Sequence, residues 1–177
     1  NNGNSPMGFS FAAAIGAWFA DSSRPVICII GDGGMQMNIQ ELQTVINYGV
    51  KIKIFIIDNR CYGITKSFQK NHNGNRFEAS CAPHYIPPDF CKVAQAYGIH
   101  SLSISRNDEI KSAIKLTLAY EESVICIVKC PDFCDYWPAI KGWSDPIEDM
   151  SPKLPRDEFR ANMLIEPLPG WETGEYK

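Results

Sequence analysis

VICIIGDGGMQMNIQELQTVINYGVKIKIFIIDN, residues 26–59, opens with a short apolar, β-branched run, Val26–Ile30, that reads as a buried parallel strand. Gly31-Asp32-Gly33-Gly34 follows at its carboxyl end. Asn38–Tyr48 then reads as a helix, because Ile39, Leu42, Val45 and Ile46 fall on one stripe and Gly49 is a stop signal. Ile52–Ile57 is the next strand, and Asp58-Asn59 ends it. Strand, glycine turn, helix and strand make a βαβ unit, so Asp32 and Asn59 belong at the same edge of one sheet.

That edge is where parallel sheets bind ligands, and glycines there let backbone N–H groups approach a phosphate with no Cβ in the way. A hard divalent ion such as magnesium takes about six oxygen ligands, shared among one or two protein groups, phosphates and water. Asp32 and the Asn59 amide oxygen supply two, and the carbonyl of Cys61 is placed to supply a third as the chain turns through Arg60-Cys61-Tyr62-Gly63. The pattern is a site for magnesium and a diphosphate. A dinucleotide fingerprint is excluded, because Gln36 stands where the third glycine of G-x-G-x-x-G is needed.

Further along, Pro88-Asp89 opens a helix with Phe90, Val93, Ala94 and Tyr97 on one face, closed by Gly98. His100–Ile104 is a strand, Asn107 or Asp108 caps a helix bearing Ile110, Ala113, Ile114 and Leu118, and Val124–Lys129 is the last strand. This alternation predicts an α/β fold, a doubly wound, mostly parallel sheet with helices on both faces. Lys66–Pro87 shows no clear period and is expected to be a loop and candidate lid beside the metal site.

G-D-G, then an Asn ending an apolar strand about one βαβ unit later, resembles the thiamine diphosphate-dependent enzymes, in their C-terminal diphosphate-binding domain, and the segment from Gly31 to Ile64 is similar to the acetolactate synthase branch. The resemblance runs from about Ser5 to Pro131. It implies thiamine diphosphate and Mg2+ as cofactors, with Asp32 and Asn59 holding the metal through side chains and Cys61 through its carbonyl. It also implies that Gly31, Gly33 and Gly34 line the diphosphate, with Tyr62 and Gly63 on the following turn. Ser5-Pro6-Met7-Gly8, before the small-residue helix from Phe11 to Gly16, is similar to the stretch that supports the cofactor; by that match Met7 is the apolar wedge and the Ser5 carbonyl meets the aminopyrimidine.

The implied activity is decarboxylation of a 2-oxo acid and ligation of the product to a carbonyl acceptor, a transferase or lyase chemistry. A non-catalytic cofactor-binding or assembly domain and a simple 2-oxo acid decarboxylase are the alternatives. The resemblance puts the activating glutamate in a pyrimidine-binding domain upstream of this chain, so no catalytic residue is assigned here and the fragment alone is expected to be inactive. Its expected partners are that upstream domain and further copies, in a homodimer or homotetramer. Asp58 departs from the family's Asn-Asn, and Phe68 stands where the synthases carry a larger aromatic ring, which makes Phe68 a candidate substrate residue.

With 177 residues, 45% of them hydrophobic, the chain is long enough for a sizeable core. A net charge of −3 gives no reason to invoke nucleic acid or a membrane surface. No apolar run approaches the roughly 20 residues of a membrane-spanning helix. The cysteine count, seven, is odd, and Cys28 and Cys126 sit in apolar strands as small hydrophobes, which points to a reducing cytoplasm. Cys130-x-x-x-Cys134 lacks the second pair of a zinc site, and His72, His84 and His100 are scattered. The texture changes after Pro131. Seven of the 12 prolines and three of the 4 tryptophans follow it, counting Pro131 itself. We therefore expect a cofactor-binding domain over 1–131 and an irregular Pro/Trp-rich tail over 132–177, with one helix at Arg156–Met163, docked on a neighbouring domain or subunit.

Overall fold

The computed structural model describes residues 4–132, 136–140 and 145–176. Two compact units divide the chain: Asn1–Lys66 with Arg76–Cys134, and Ser67–Asn75 with Asp135–Lys177.

The first unit holds a four-stranded parallel sheet, β1 (Val26–Gly31), β2 (Ile52–Asp58), β3 (His100–Ile104) and β4 (Val124–Lys129), in the order β1-β2-β4-β3. Register pairs Gly31 with Ile57 and Asp58 with Lys129, so the residues that end β1, β2 and β4 lie side by side. The helices of this unit are α1 (Phe9–Ala20), α2 (Asp32–Met37), α3 (Leu42–Asn47), α5 (Phe90–Ala96) and α6 (Ile110–Ala119). Between them α4 (Gly63–His72) begins in the first unit and ends in the second.

Strand periodicity separates the sheet into two faces. Cys28, Ile30, Ile52, Ile54, Ile56, Ile125 and Ile127 point to one face, where Phe11 and Ala14 of α1, Met35, Leu42, Val45 and Phe90 and Ala94 of α5 close over them. Each such fully buried side chain contributes about 1.5–3 kcal/mol over its exposed state. Phe55, Leu102, Ile104, Cys126 and Val128 point to the other face, where Ala113 of α6 packs. The helices thus lie on both faces, as the alternation predicts. Lys53 is tolerated in a central strand because its ammonium reaches past the sheet to the carbonyls of Tyr120 and Glu122.

Three elements differ from expectation. The helix expected over Asn38–Tyr48 is instead α2, starting at Asp32, then a 3-10 turn Ile39–Glu41 and α3. Asn38, with φ −131°, separates α2 from the turn, and its side-chain amide donates to the Gly8 carbonyl at 2.9 Å. The supposed loop after the metal turn overlaps the ten-residue α4, which has no buried side chain and whose short apolar stripe, Ile64 and Phe68, straddles Lys66, where the loop was expected to begin. At α6 the turn Asn107–Glu109 precedes the helix, and Glu109 rather than Asn107 or Asp108 satisfies the entry, accepting from the amides of Ser105 and Arg106 at 2.9 and 3.1 Å. At α5, Asp89 caps as expected, accepting from the amides of Cys91 and Lys92.

The second unit is organised on a buried carboxylate. Asp149 takes a two-pronged bond from Arg156 at 2.8 and 3.1 Å and a third from the Tyr176 hydroxyl at 2.6 Å. Arg156 opens α7 (Arg156–Asn162) and also donates to the Trp171 carbonyl, fastening the end of the chain. Trp171 is half-buried near Phe159, whereas Trp137 is 69% exposed; Trp143 and Cys134 lie outside the described residues.

Candidate functional site

β1 runs apolar to Ile30, and Gly31 then delivers Asp32 to the first turn of α2, where the carboxylate is only 1% exposed. Its Oδ1 accepts from the Gly33 amide at 2.5 Å and from the Tyr85 hydroxyl at 3.2 Å, and its Oδ2 accepts from the Arg60 amide at 2.6 Å. All three donors are neutral. Burial accordingly pushes the Asp32 carboxyl above the ordinary carboxylate range; the bonds from Gly33, Arg60 and Tyr85 pull the other way, and nearby Asp58 adds to the rise.

The Arg60 bond ties the two strand ends together. Arg60 has φ +58°, a left-handed turn that folds the chain after β2 back toward Asp32 and leaves half-buried Asn59 between them in sequence. Cys61 is buried, its thiol donating to the Asp132 carbonyl at 2.7 Å, and the Tyr62 amide donates to Ser80 at 2.8 Å. Tyr62 lies over Gly33: a Cβ there would come within 2.6 Å of Tyr62 Cδ1 and 3.1 Å of Met7 Cε. Gly34 packs less closely, its missing Cβ 3.1 Å from Ile30 Cγ1 and 3.6 Å from the Gly8 amide. Gly33 is therefore required for close approach at this turn, and Gly34 leaves only a tight fit for a side chain.

The structure thus brings Met7, Gly31, Asp32, Gly33, Gly34, Asn59, Cys61 and Tyr62 to one end of β1 and β2, and Gly63 starts α4 just beyond. Ser5 is exposed and lines a shallow groove of about 640 Å3 with Phe9, Ala13, Ile27 and Ile29, along the outer edge of β1. Phe68 belongs to the second unit, 43% exposed and 4.8 Å from the His72 ring.

Sequence reasoning missed two groups. Tyr85 sits in the supposed lid, far from any motif; Gln36 donates to its hydroxyl at 3.0 Å, and its ring lies 4.1 Å from that of Tyr62. Its one local signal is an aromatic just before the helix opening at Pro88-Asp89. Lys129 was read only as the end of β4, yet it pairs with buried Asp58. The register that sets them side by side was not readable from either strand alone.

The donor set suits a hard cation: a buried carboxylate balanced by no cationic side chain among the described residues, with Asn59 and Cys61 on the adjoining turn and with Gly31, at whose Cβ position nothing lies within 4 Å, beside it. Among the described residues no group of three or more His, Cys, Asp or Glu side chains could hold a metal, so a softer, side-chain-only site is not offered.

Comparison with known proteins gives the family of the chain. Residues 1–128 match the thiamine pyrophosphate enzyme, C-terminal TPP binding domain, and the chain belongs to that family. Thiamine diphosphate, with magnesium, is the cofactor of this domain. Among its relatives, the acetolactate synthase large subunit of Pyropia yezoensis is 39% identical over 119 residues, covering 67% of this chain and 20% of the relative. The acetolactate synthase isozyme 2 large subunit of Escherichia coli (strain K12) is 32% identical over 140 residues, covering 79% of this chain and 25% of that one. Among solved structures, the thiamine diphosphate-dependent 4-hydroxybenzoylformate decarboxylase of Rhodococcus jostii RHA1 is similar, with a TM-score of 0.63, 29% identity, and 73% of this chain against 24% of that chain covered. The chain thus spans about a fifth to a quarter of the length of these relatives. No helix among the described residues is long and apolar enough to cross a membrane.

Proposed function

We propose that this chain is the cofactor-anchoring part of a thiamine diphosphate-dependent enzyme that decarboxylates a 2-oxo acid and ligates the product to a carbonyl acceptor, as an acetolactate synthase does. The observation that carries the reading is Asp32: a buried carboxylate with three neutral donors and no cation, at the glycine turn of a βαβ unit, in a chain whose family is defined by this cofactor. When bound, thiamine diphosphate supplies an electron sink for breaking the bond between the carbonyl and carboxylate carbons of the substrate.

The chain's own residues hold that group. Asp32 and Asn59 would take magnesium through side-chain oxygens and Cys61 through its carbonyl, while Gly31, Gly33, Gly34, Tyr62 and Gly63 would shape the diphosphate cradle. Met7, whose methyl reaches Gly33, would be the wedge beneath the cofactor, and the Ser5 carbonyl would meet its pyrimidine. The activating glutamate would come from a pyrimidine-binding domain of the same protein, in a cytoplasmic homodimer or homotetramer. Residues 132–177 would dock on a neighbouring domain or subunit, for which exposed Ile147, Leu164, Ile165 and Leu168 are suited. Phe68 would bear on the acceptor; Phe68→Trp then shifts the kcat/KM ratio between small and bulky acceptors by about tenfold, with cofactor affinity unchanged.

The test is turnover of the intact protein with a panel of 2-oxo acids, with and without thiamine diphosphate and magnesium, read by CO2 release and product mass. Cofactor-dependent CO2 release with a product heavier than the decarboxylated donor is expected. Release of the bare aldehyde would make it a simple decarboxylase, and no cofactor-dependent release from any acid would overturn the catalytic reading.

A further inference from the structure

We infer that Tyr85, oriented by Gln36, is a positioning residue that fixes the Asp32 carboxylate for its metal, an inference that rests on the reading of Asp32 as a magnesium ligand. A carboxylate can turn about its Cβ–Cγ bond, and a metal with strict octahedral demands binds well only if one lone pair is already aimed at it. Three donors restrain Asp32. Two are backbone amides, those of Gly33 and Arg60; the third, the Tyr85 hydroxyl, is the one side-chain donor to Asp32 among the described residues.

The hydroxyl has a single proton, and its neighbours decide where it goes. An ionised carboxylate only accepts, so the short path from Tyr85 Oη to Asp32 Oδ1 must carry that proton. Gln36 then fills the acceptor side of the hydroxyl, donating from Nε2 at 3.0 Å. Tyr85 is 7% exposed, so its hydroxyl has little water to turn toward and stays on these two partners. Rotation of the ring is restrained by the Tyr62 ring at 4.1 Å, and the Tyr85 amide bonds to the Cys81 carbonyl at 2.9 Å. The chain from Gln36 through Tyr85 to Asp32 starts one turn into the same helix that Asp32 opens, passes through a residue 53 positions away, and returns to the carboxylate. The long segment between β2 and α5 is thereby tied to the metal ligand itself. The further bond from Tyr62 N–H to the Ser80 carbonyl ties the same segment to the turn that carries Asn59 and Cys61.

Deleting the hydroxyl separates positioning from packing, because Tyr85→Phe keeps the ring. In the intact protein, thiamine diphosphate binding is followed by calorimetry across a magnesium titration, for wild type, Tyr85→Phe, Gln36→Leu and Asp32→Ala. The magnesium midpoint is expected to rise about tenfold for Tyr85→Phe and less for Gln36→Leu, which leaves the phenol and its proton in place but removes the donor to its oxygen, with cofactor affinity at saturating magnesium held within about twofold. With Mn2+ in place of magnesium, the spin-resonance line shape of the bound ion should change in Tyr85→Phe, a signature that loss of packing alone does not give. Should Tyr85→Phe fail to fold, Gln36→Leu decides. Midpoints within about twofold of wild type for the variants that fold, while Asp32→Ala abolishes the magnesium response, would overturn the role of Tyr85 and leave the metal site standing. A magnesium response intact in Asp32→Ala would overturn both.

Discussion

Asp32 and Asp58 end neighbouring strands and are almost equally hidden, at 1% and 2% exposure, yet they are held in opposite ways. Asp32 takes three neutral hydrogen bonds, whereas Asp58 is paired with the ammonium of Lys129, its register partner on β4. A buried charge is costly unless it is compensated. Asp58 carries its charge compensation in the chain through Oδ2, although its buried Oδ1 has no hydrogen-bond partner among the described residues, and reads as structural, while Asp32 lacks such a cation and reads as a group whose cation arrives with the ligand. Sequence position alone does not separate them, since both stand at the carboxyl end of an apolar run.

The largest effect that would break this comparison is on Asp32. Asp32→Ala should lower magnesium-dependent affinity for thiamine diphosphate by about 100-fold or more, about 2.7 kcal/mol at 1.36 kcal/mol per factor of ten, by calorimetry in the intact protein. The fold should not suffer. Asp32→Asn should raise the metal-free Tm by about 2–4 °C, the size of a 1 kcal/mol gain in a domain of this length, because it removes a charge that burial disfavours. The sign with pH follows from the raised carboxyl: its cost is present above the folded-state value and is relieved as pH falls through that value toward the ordinary one. The Tm advantage of Asp32→Asn should therefore shrink on acidification. An advantage that grows as pH falls would contradict the assignment.

Lys129 should behave the other way. Lys129→Met leaves Asp58 buried without its partner and should cost about 2–3 kcal/mol in denaturant unfolding, below the 3–5 kcal/mol of a fully buried pair because the Lys129 side chain is 45% exposed. Adding Asp58→Asn to it should recover most of that loss, a coupling that a double-mutant cycle reads directly. Strict additivity would mean that the pair contributes nothing.

The sheet and the Asp32–Asn59 pairing were legible because β-branched runs, glycine stops and the G-D-G turn are local signals that agree with one another. Val124–Lys129 and His100–Ile104 match the observed strands residue for residue. What was hidden depends on distant partners. Asn38 parts α2 from the helical stripe that follows and bonds to Gly8, thirty residues away, and Tyr85 reaches Asp32 across fifty-three. α4 was missed for a different reason: it buries nothing, and its two apolar positions, Ile64 and Phe68, make too short a stripe to mark a helix. The tail gave away its α7 but not the Asp149–Arg156–Tyr176 cluster, whose members are spread along it.

Asn59 should give a middling effect. Asn59→Ala removes a neutral oxygen rather than a charge, so a loss of about tenfold in magnesium-dependent affinity is expected, and because it shares one ion with Asp32 the two losses should not add. Full additivity in the double variant would separate Asn59 from the ion.

The smallest expected effect tests the comparison most finely. An unpaired carboxylate at roughly 10 Å from a bound divalent ion would attract it by about 3.3 kcal/mol at an effective dielectric near 20, or more than a hundredfold in affinity. If Lys129 neutralises Asp58, that attraction is largely cancelled, because the two charges of the pair act on the ion with opposite signs. Asp58→Asn should then change the magnesium midpoint by no more than about threefold, its freed Lys129 turning toward water through the exposed half of its side chain. Stability should fall by about 1 kcal/mol at most, since Asn keeps the shape of the side chain and removes the buried charge that Lys129 had to balance. A tenfold rise in the midpoint would show that Asp58 acts on the metal as a bare charge. The two aspartates would then be one electrostatic site shared by β1 and β2 rather than a ligand beside a structural pair.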